Sequence, residues 1–135
     1  MIFVDTNIFL RYILKDVPAQ SRQAKQILEQ VETGKIELWT TEWVIAELIW
    51  TLSLKKYGFD RKEVYNFIRT FIGLKGLTVK NGDLILEALK LSEDKSIGFT
   101  DCLNSILCRQ NGVSQVYSFD KHFDKFPNLR RKKIG

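Results

Sequence analysis

The 135 residues are 44% hydrophobic, which suits one globular domain with a core of its own. No run of about 18 apolar residues exists, so a membrane-spanning helix is excluded, and Met1 leads straight into Ile-Phe-Val-Asp, so no signal peptide is expected. The formal charge of +5 is unevenly placed: residues 1–120 hold 15 basic and 15 acidic side chains, whereas residues 121–135 hold six basic ones (Lys121, Lys125, Arg130, Arg131, Lys132, Lys133) against Asp124.

Residues 2–5 read as a buried strand of a parallel sheet. A helix follows from about Asn7, and Pro18 opens a second that runs to roughly Glu32. Ala24, Ile27, Leu28 and Val31 recur on one face of that helix, and Thr33-Gly34 ends it. Ile36 to Trp39 is the second expected strand. Thr40 or Thr41 is a natural N-cap for a helix over about Glu42 to Lys55, apolar nearly all round and therefore expected to be buried. Trp39, Trp43 and Trp50 are read as core in preference to a base-stacking surface.

Asp60 caps a helix over residues 61–73, and Leu77-Thr78-Val79 is a short third strand. Asn81 or Gly82 leads into a helix ending near Lys90–Asp94. Thr100 is the expected cap of a further helix that stops at Asn111-Gly112. Residues 115–118 form the fourth strand, residues 119–126 a loop or short helix, and residues 131–134 a last edge strand. Short strands alternating with helices predict an α/β class: a three-layer α/β/α sandwich with a central parallel sheet of about five strands, spanning residues 1–135 as a single domain.

Four carboxylates stand in apolar surroundings: Asp5, Glu47, Asp101 and Asp120. An ionised carboxylate taken out of water needs a partner or a metal ion. Asp5 and Asp120 follow the ends of strands, Asp101 lies in the first turn of a helix where an anion is favoured, and Glu47 projects from a helix that follows a strand. In open parallel sheets the binding crevice lies outside the carboxyl ends of strands, which is compatible with one site for all four. Carboxylates at this density suit Mg²⁺ or Mn²⁺, hard ions that bridge to substrate phosphates. The basic C-terminal segment fits a phosphate-backbone substrate. Asp101 is expected to share a helical face with Asn104, Ser105 and Cys108.

Cys102 and Cys108, six apart in one helical segment, point to different faces and are expected as reduced thiols in a cytoplasmic protein. With His122 the single histidine, a zinc site of Cys and His ligands is not credible, and no serine–histidine pair supports nucleophilic catalysis.

Val4-Asp5-Thr6-Asn7, Glu47 in its apolar helix, Thr100-Asp101-Cys102-Leu103-Asn104 and Ser118-Phe119-Asp120-Lys121-His122-Phe123 together resemble the PIN domain, the metal-dependent nuclease fold of VapC-type toxins. The resemblance spans nearly the whole chain. It implies an endoribonuclease in which Asp5, Glu47, Asp101 and Asp120 hold Mg²⁺ or Mn²⁺ and single-stranded RNA is cleaved by water to a 3′-hydroxyl and a 5′-phosphate. Thr6, Asn7, Asn104 and Ser118 are the supporting polar groups, with Ser118 where threonine is frequent in the family. Lys121, Arg130 and Arg131 are candidate substrate contacts. A cognate antitoxin and a homodimer are the implied partners. Competing readings are a non-catalytic RNA- or protein-binding module, an RNA-processing nuclease outside any toxin–antitoxin pair, and a phosphotransfer module using Asp5. The last lacks an aspartate at position 7, where Asn7 stands.

Overall fold

The structure, a computed structural model, describes residues 1–135. The chain divides into two compact units, Met1–Gly82 and Asp83–Gly135.

The first unit is built on three short parallel strands in the order β1 (Ile2–Phe3), β2 (Leu38–Thr40), β3 (Leu77–Val79). Parallel neighbours need long crossovers, and helices supply them: α1 (Thr6–Leu14) and α2 (Pro18–Glu32) between β1 and β2, α3 (Glu42–Leu52) and α4 (Arg61–Ile72) between β2 and β3. The core holds Phe9, Val31, Ile45, Leu48, Leu52 and Ile68, each essentially inaccessible, and Phe9 meets Phe71 at a centroid separation of 4.7 Å.

Local chemistry sets the helix ends. Pro18 occupies the first turn of α2, where its missing N–H is harmless. Thr41 accepts from the Val44 N–H at the start of α3. Asp60 and Glu63 form a reciprocal capping box at α4, Asp60 accepting from the Glu63 N–H at 2.8 Å and Glu63 accepting from the Asp60 N–H at 3.1 Å.

Gly76 makes the close approach between the end of α2 and the sheet. Its N–H donates to the Val31 carbonyl and its own carbonyl accepts from Leu38 N–H. A Cβ at Gly76 would stand 2.7 Å from the Val31 carbonyl oxygen and nearer still to that of Ile36.

The second unit contains α5 (Gly82–Lys95, beginning at the boundary residue), α6 (Phe99–Gln110), β4 (Gln115–Val116), a 3-10 turn over Lys121–Lys125 and β5 (Arg130–Arg131), which pairs parallel to β4. Ile85, Leu89, Ile97, Ile106 and Phe126 are its most deeply buried large side chains. Ser96 takes a positive φ of 55° at the corner between α5 and α6, and Ser92 Oγ–H donates to the Ile97 carbonyl there. Arg109 and Glu87 join the two helices through paired hydrogen bonds of 2.8 and 2.9 Å.

The fold is therefore α/β with parallel strand pairing, as expected, and the five strands pair as a group of three and a group of two. Four expectations need correction. β1 is not buried: Ile2 and Phe3 are 60% and 55% exposed, and Val4 is the residue of this segment that enters the core. α3 is not buried all round. Val44, Ile45, Leu48, Ile49 and Leu52 form its buried stripe, while Trp43 and Trp50 are 80% and 68% exposed and Glu47 is exposed on the same side. The cap position of α6 is Gly98 rather than Thr100, which lies inside the first turn. Ser105 is buried and does not extend a polar strip from Asp101.

Candidate functional site

Asp5 follows β1 at the end where the strand gives way to α1. Two neighbours fix that corner: Val4 N–H donates to the Trp39 carbonyl at 3.0 Å, and the buried Thr40 hydroxyl donates to the Val4 carbonyl at 2.9 Å. Asp5 occupies the N-cap position of α1 by its backbone, with an extended ψ of 164°, yet its side chain accepts no capping hydrogen bond. The carboxylate is exposed and committed to no helical N–H. Beside it, Thr6 is 1% exposed, and its buried Oγ1 has no hydrogen-bond partner. An unsatisfied buried hydroxyl costs about 1–3 kcal/mol, so Thr6 Oγ1 is a polar atom with hydrogen-bonding capacity to spare beside Asp5. Asn7 is exposed on the next position.

Glu47 lies mid-way along α3 with Trp43 one turn before it and Trp50 one turn after, all three outward.

In the second unit the structure brings two of the predicted acids together. Asp101 in the first turn of α6, Asp120 and His122 each offer a ligand atom, and these atoms lie within 4.8 Å of one another. The loop carrying Asp120 is shaped by its own polar groups. Asp120 N–H donates to Ser118 Oγ at 2.9 Å, and Asp120 Oδ1 accepts from His122 N–H at 2.8 Å, capping the 3-10 turn. His122 Nδ1 stands 3.3 Å from the same oxygen. The turn is then tied back to α6: Asn128 accepts from Ser105 Oγ–H at 3.1 Å and donates to the Ser105 carbonyl at 3.0 Å. Ser105 is one turn beyond Asp101 on the same helix, and Phe126 and Leu129 are buried on either side of Asn128. Asn128 thereby fixes the Asp120 loop against the helix that carries Asp101.

The two carboxylates suit a hard divalent cation such as Mn²⁺ or Mg²⁺, whereas an imidazole donor is typical of transition metals and not of Mg²⁺. His122 is the participant that the sequence reading passed over. Its position two residues after Asp120, on a turn that Asp120 itself caps, was the available signal.

The remaining candidates fall around this cluster. Ser118 is half-buried and acts through the Asp120 backbone, and Asn104 is exposed one turn along α6 from Asp101. Lys121 and Arg130 are exposed, whereas the Arg131 guanidinium is held by Asp124 in two bonds of 2.8 and 2.9 Å. That pairing keeps the Asp124 carboxyl below its ordinary range and raises Arg131, the hydrogen bond being the larger cause in each case.

Residues 2–129 match the family model described as PIN domain. The chain belongs to the PIN domain family. The match covers both units and every one of the four acids. A VapC ribonuclease from Aquifex aeolicus is 28% identical over 125 residues, which is 93% of this chain and 91% of that protein. Among solved structures, VapBC2 from Rickettsia felis, bound to a DNA fragment from its promoter, is 19% identical over 98% of both chains, with a TM-score of 0.36. The α/β class and parallel strand pairing found here are those of the PIN family. No helix is long and apolar enough to cross a membrane, and Cys102 and Cys108 form no disulfide.

Proposed function

We propose that this PIN domain is a divalent-metal-dependent endoribonuclease that cleaves single-stranded RNA, acting as the toxin of a toxin–antitoxin pair. The observation that carries the reading is the Asp101–Asp120–His122 cluster, held in place by Asn128, in a chain whose PIN match is nearly complete. The VapC ribonuclease relative supports the substrate class.

Asp101 and Asp120 would hold Mg²⁺ or Mn²⁺, and Asp5 and Glu47 are enlisted in the same reaction as the other two carboxylates. When bound, such an ion supplies an activated water and neutralises charge on the scissile phosphate. The side chains divide the remaining work. Asp5 keeps a carboxylate unspent on its own helix, Thr6 offers a buried hydroxyl beside it, and Ser118 fixes the backbone at Asp120. The match from residue 2 to residue 129 supports treating the two units as one functional domain. A cytoplasmic location, a homodimer and a cognate antitoxin belong to the same proposal, and the outward Trp43 and Trp50 offer apolar area for a protein partner.

Labelled single-stranded RNA incubated with the protein and Mn²⁺, with and without chelator, tests the reading. Cleavage that needs the metal and is lost in Asp5→Asn and Asp101→Asn supports it. RNA left intact by the wild type but bound by it points to a binding module instead.

A further inference from the structure

The second unit opens a cavity of about 570 Å³, walled by Ser118, Phe119, Asp124 and residues 129–134. Its lining combines two features that the fold does not require. Phe119, between Ser118 and Asp120, is 89% exposed, so its ring does nothing for the core. The same lining includes a basic segment paired to its neighbour: Arg130 N–H donates to the Ser114 carbonyl at 3.0 Å and Lys132 N–H to the Val116 carbonyl at 2.8 Å. The parallel register pairs Gln115 with Arg130, so strand alternation puts Arg130 and Lys132 on one face together with Tyr117. Tyr117 is 65% exposed, and the Lys132 ammonium stands 5.7 Å from its ring centroid.

Arg131 differs from its neighbours. Its fork is occupied by Asp124, so it cannot clamp a phosphate without giving up two charge-assisted bonds. It positions the strand and the 3-10 turn relative to each other, and the exposed Arg130, Lys132 and Lys133 remain for an anionic ligand.

We infer that this cavity is a binding track for single-stranded RNA, in which the Phe119 ring stacks on one base and Arg130, Lys132 and Lys133 hold the flanking phosphates. Exposed aromatic rings interleaved with cations are how proteins grip single strands, because every base has a stacking face and every linkage a charge. A duplex hides its base faces and cannot use Phe119. Phe119 immediately precedes Asp120, so a strand bound there runs along the loop that carries this acid. The choice of RNA rests on the ribonuclease reading; the stacking and phosphate contacts do not.

The test is fluorescence anisotropy with a fluorescein-labelled single-stranded RNA of about ten nucleotides, a length within the usual site size, in chelator so that nothing is cut. Phe119→Ala should bind about tenfold more weakly and Phe119→Trp should restore the affinity. Arg130→Glu with Lys132→Glu should weaken binding and reduce the salt slope by roughly 1.4, about 0.7 for each lost phosphate contact. All these side chains are exposed, so thermal melts should be unchanged. Wild-type affinity in Phe119→Ala, or equal binding of single-stranded and duplex RNA, would overturn the track. A parallel Mn²⁺ cleavage assay separates the two readings. Binding through Phe119 without any cleavage defeats the ribonuclease and leaves the track; cleavage at wild-type KM by both variants defeats the track and leaves the ribonuclease.

Discussion

Asp120 Oδ1 receives the His122 backbone N–H at 2.8 Å and faces the His122 ring nitrogen Nδ1 at 3.3 Å. One carboxylate oxygen is thus held by a residue whose ring shares its cluster with Asp101. His122 is exposed, so His122→Ala should fold normally. It should lower Mn²⁺ affinity by about tenfold or more, as loss of groups that orient a metal ligand does. Calorimetric titration with Mn²⁺ checks this, and unchanged affinity removes His122 from the site.

Asp5 and Asp60 occupy the same backbone position on two different helices and do different work. Asp60 closes a capping box; Asp5 makes no side-chain cap. Asp60→Ala should therefore destabilise the protein by about 1 kcal/mol with cleavage preserved below the melting temperature. Asp5→Asn should leave the melting temperature nearly unchanged while abolishing cleavage. Chemical denaturation beside a turnover assay on both variants distinguishes the two roles.

Asn128 makes two hydrogen bonds to Ser105 and joins the Asp120 loop to the Asp101 helix. Asn128→Ala should cost about 1–2 kcal/mol, because Ser105 is buried and would lose its partner. It should also weaken Mn²⁺ binding although Asn128 touches no candidate ligand. Asn128→Asp, which keeps the acceptor for the Ser105 hydroxyl, should recover part of the stability. Wild-type Mn²⁺ affinity in Asn128→Ala would show that the loop is placed by other contacts.

Glu87 and Arg109 link α5 to α6 through a two-pronged pair, and the Arg109 hydrogen bond lowers the Glu87 pKa from its ordinary 4.5. A carboxyl depressed in the folded state contributes stability that is complete above the ordinary value and disappears as pH falls through the folded one. Glu87→Gln should lower the melting temperature slightly at neutral pH, the pair being exposed. The difference from wild type should shrink once pH falls below 4.5 and be lost as pH passes through the lowered folded-state value. Melting curves across that range test the sign.

The helices were legible where local chemistry alone fixes them. Pro18 and the stripe of Ala24, Leu28 and Val31 delimit α2, and Asp60 with Glu63 marks the start of α4. Burial was less legible, because hydrophobicity does not say which side of an element is covered. Ile2 and Phe3 read as interior residues, yet β1 pairs along β2 and leaves both exposed. In α3 the tryptophans counted as apolar and masked a helix that is one-sided, with Trp43, Glu47 and Trp50 sharing its outer face. At the site, Asp101 and Asp120 were found by their apolar settings. As the single histidine, His122 supports neither a zinc site with cysteines nor a serine–histidine pair, and its closeness to Asp101 is a tertiary fact that spacing does not contain.

The central claim is that acids distant in sequence serve one metal-dependent cleavage. The most direct measurement is Mn²⁺ binding by calorimetry to the wild type, Asp5→Asn, Glu47→Gln and Asp101→Asn, alongside RNA cleavage by the same samples. The account predicts that Asp101→Asn weakens Mn²⁺ binding, and that cleavage falls by about a hundredfold or more in all three variants. Wild-type Mn²⁺ affinity in Asp101→Asn, or undiminished cleavage in Asp5→Asn or Asp101→Asn, would contradict it.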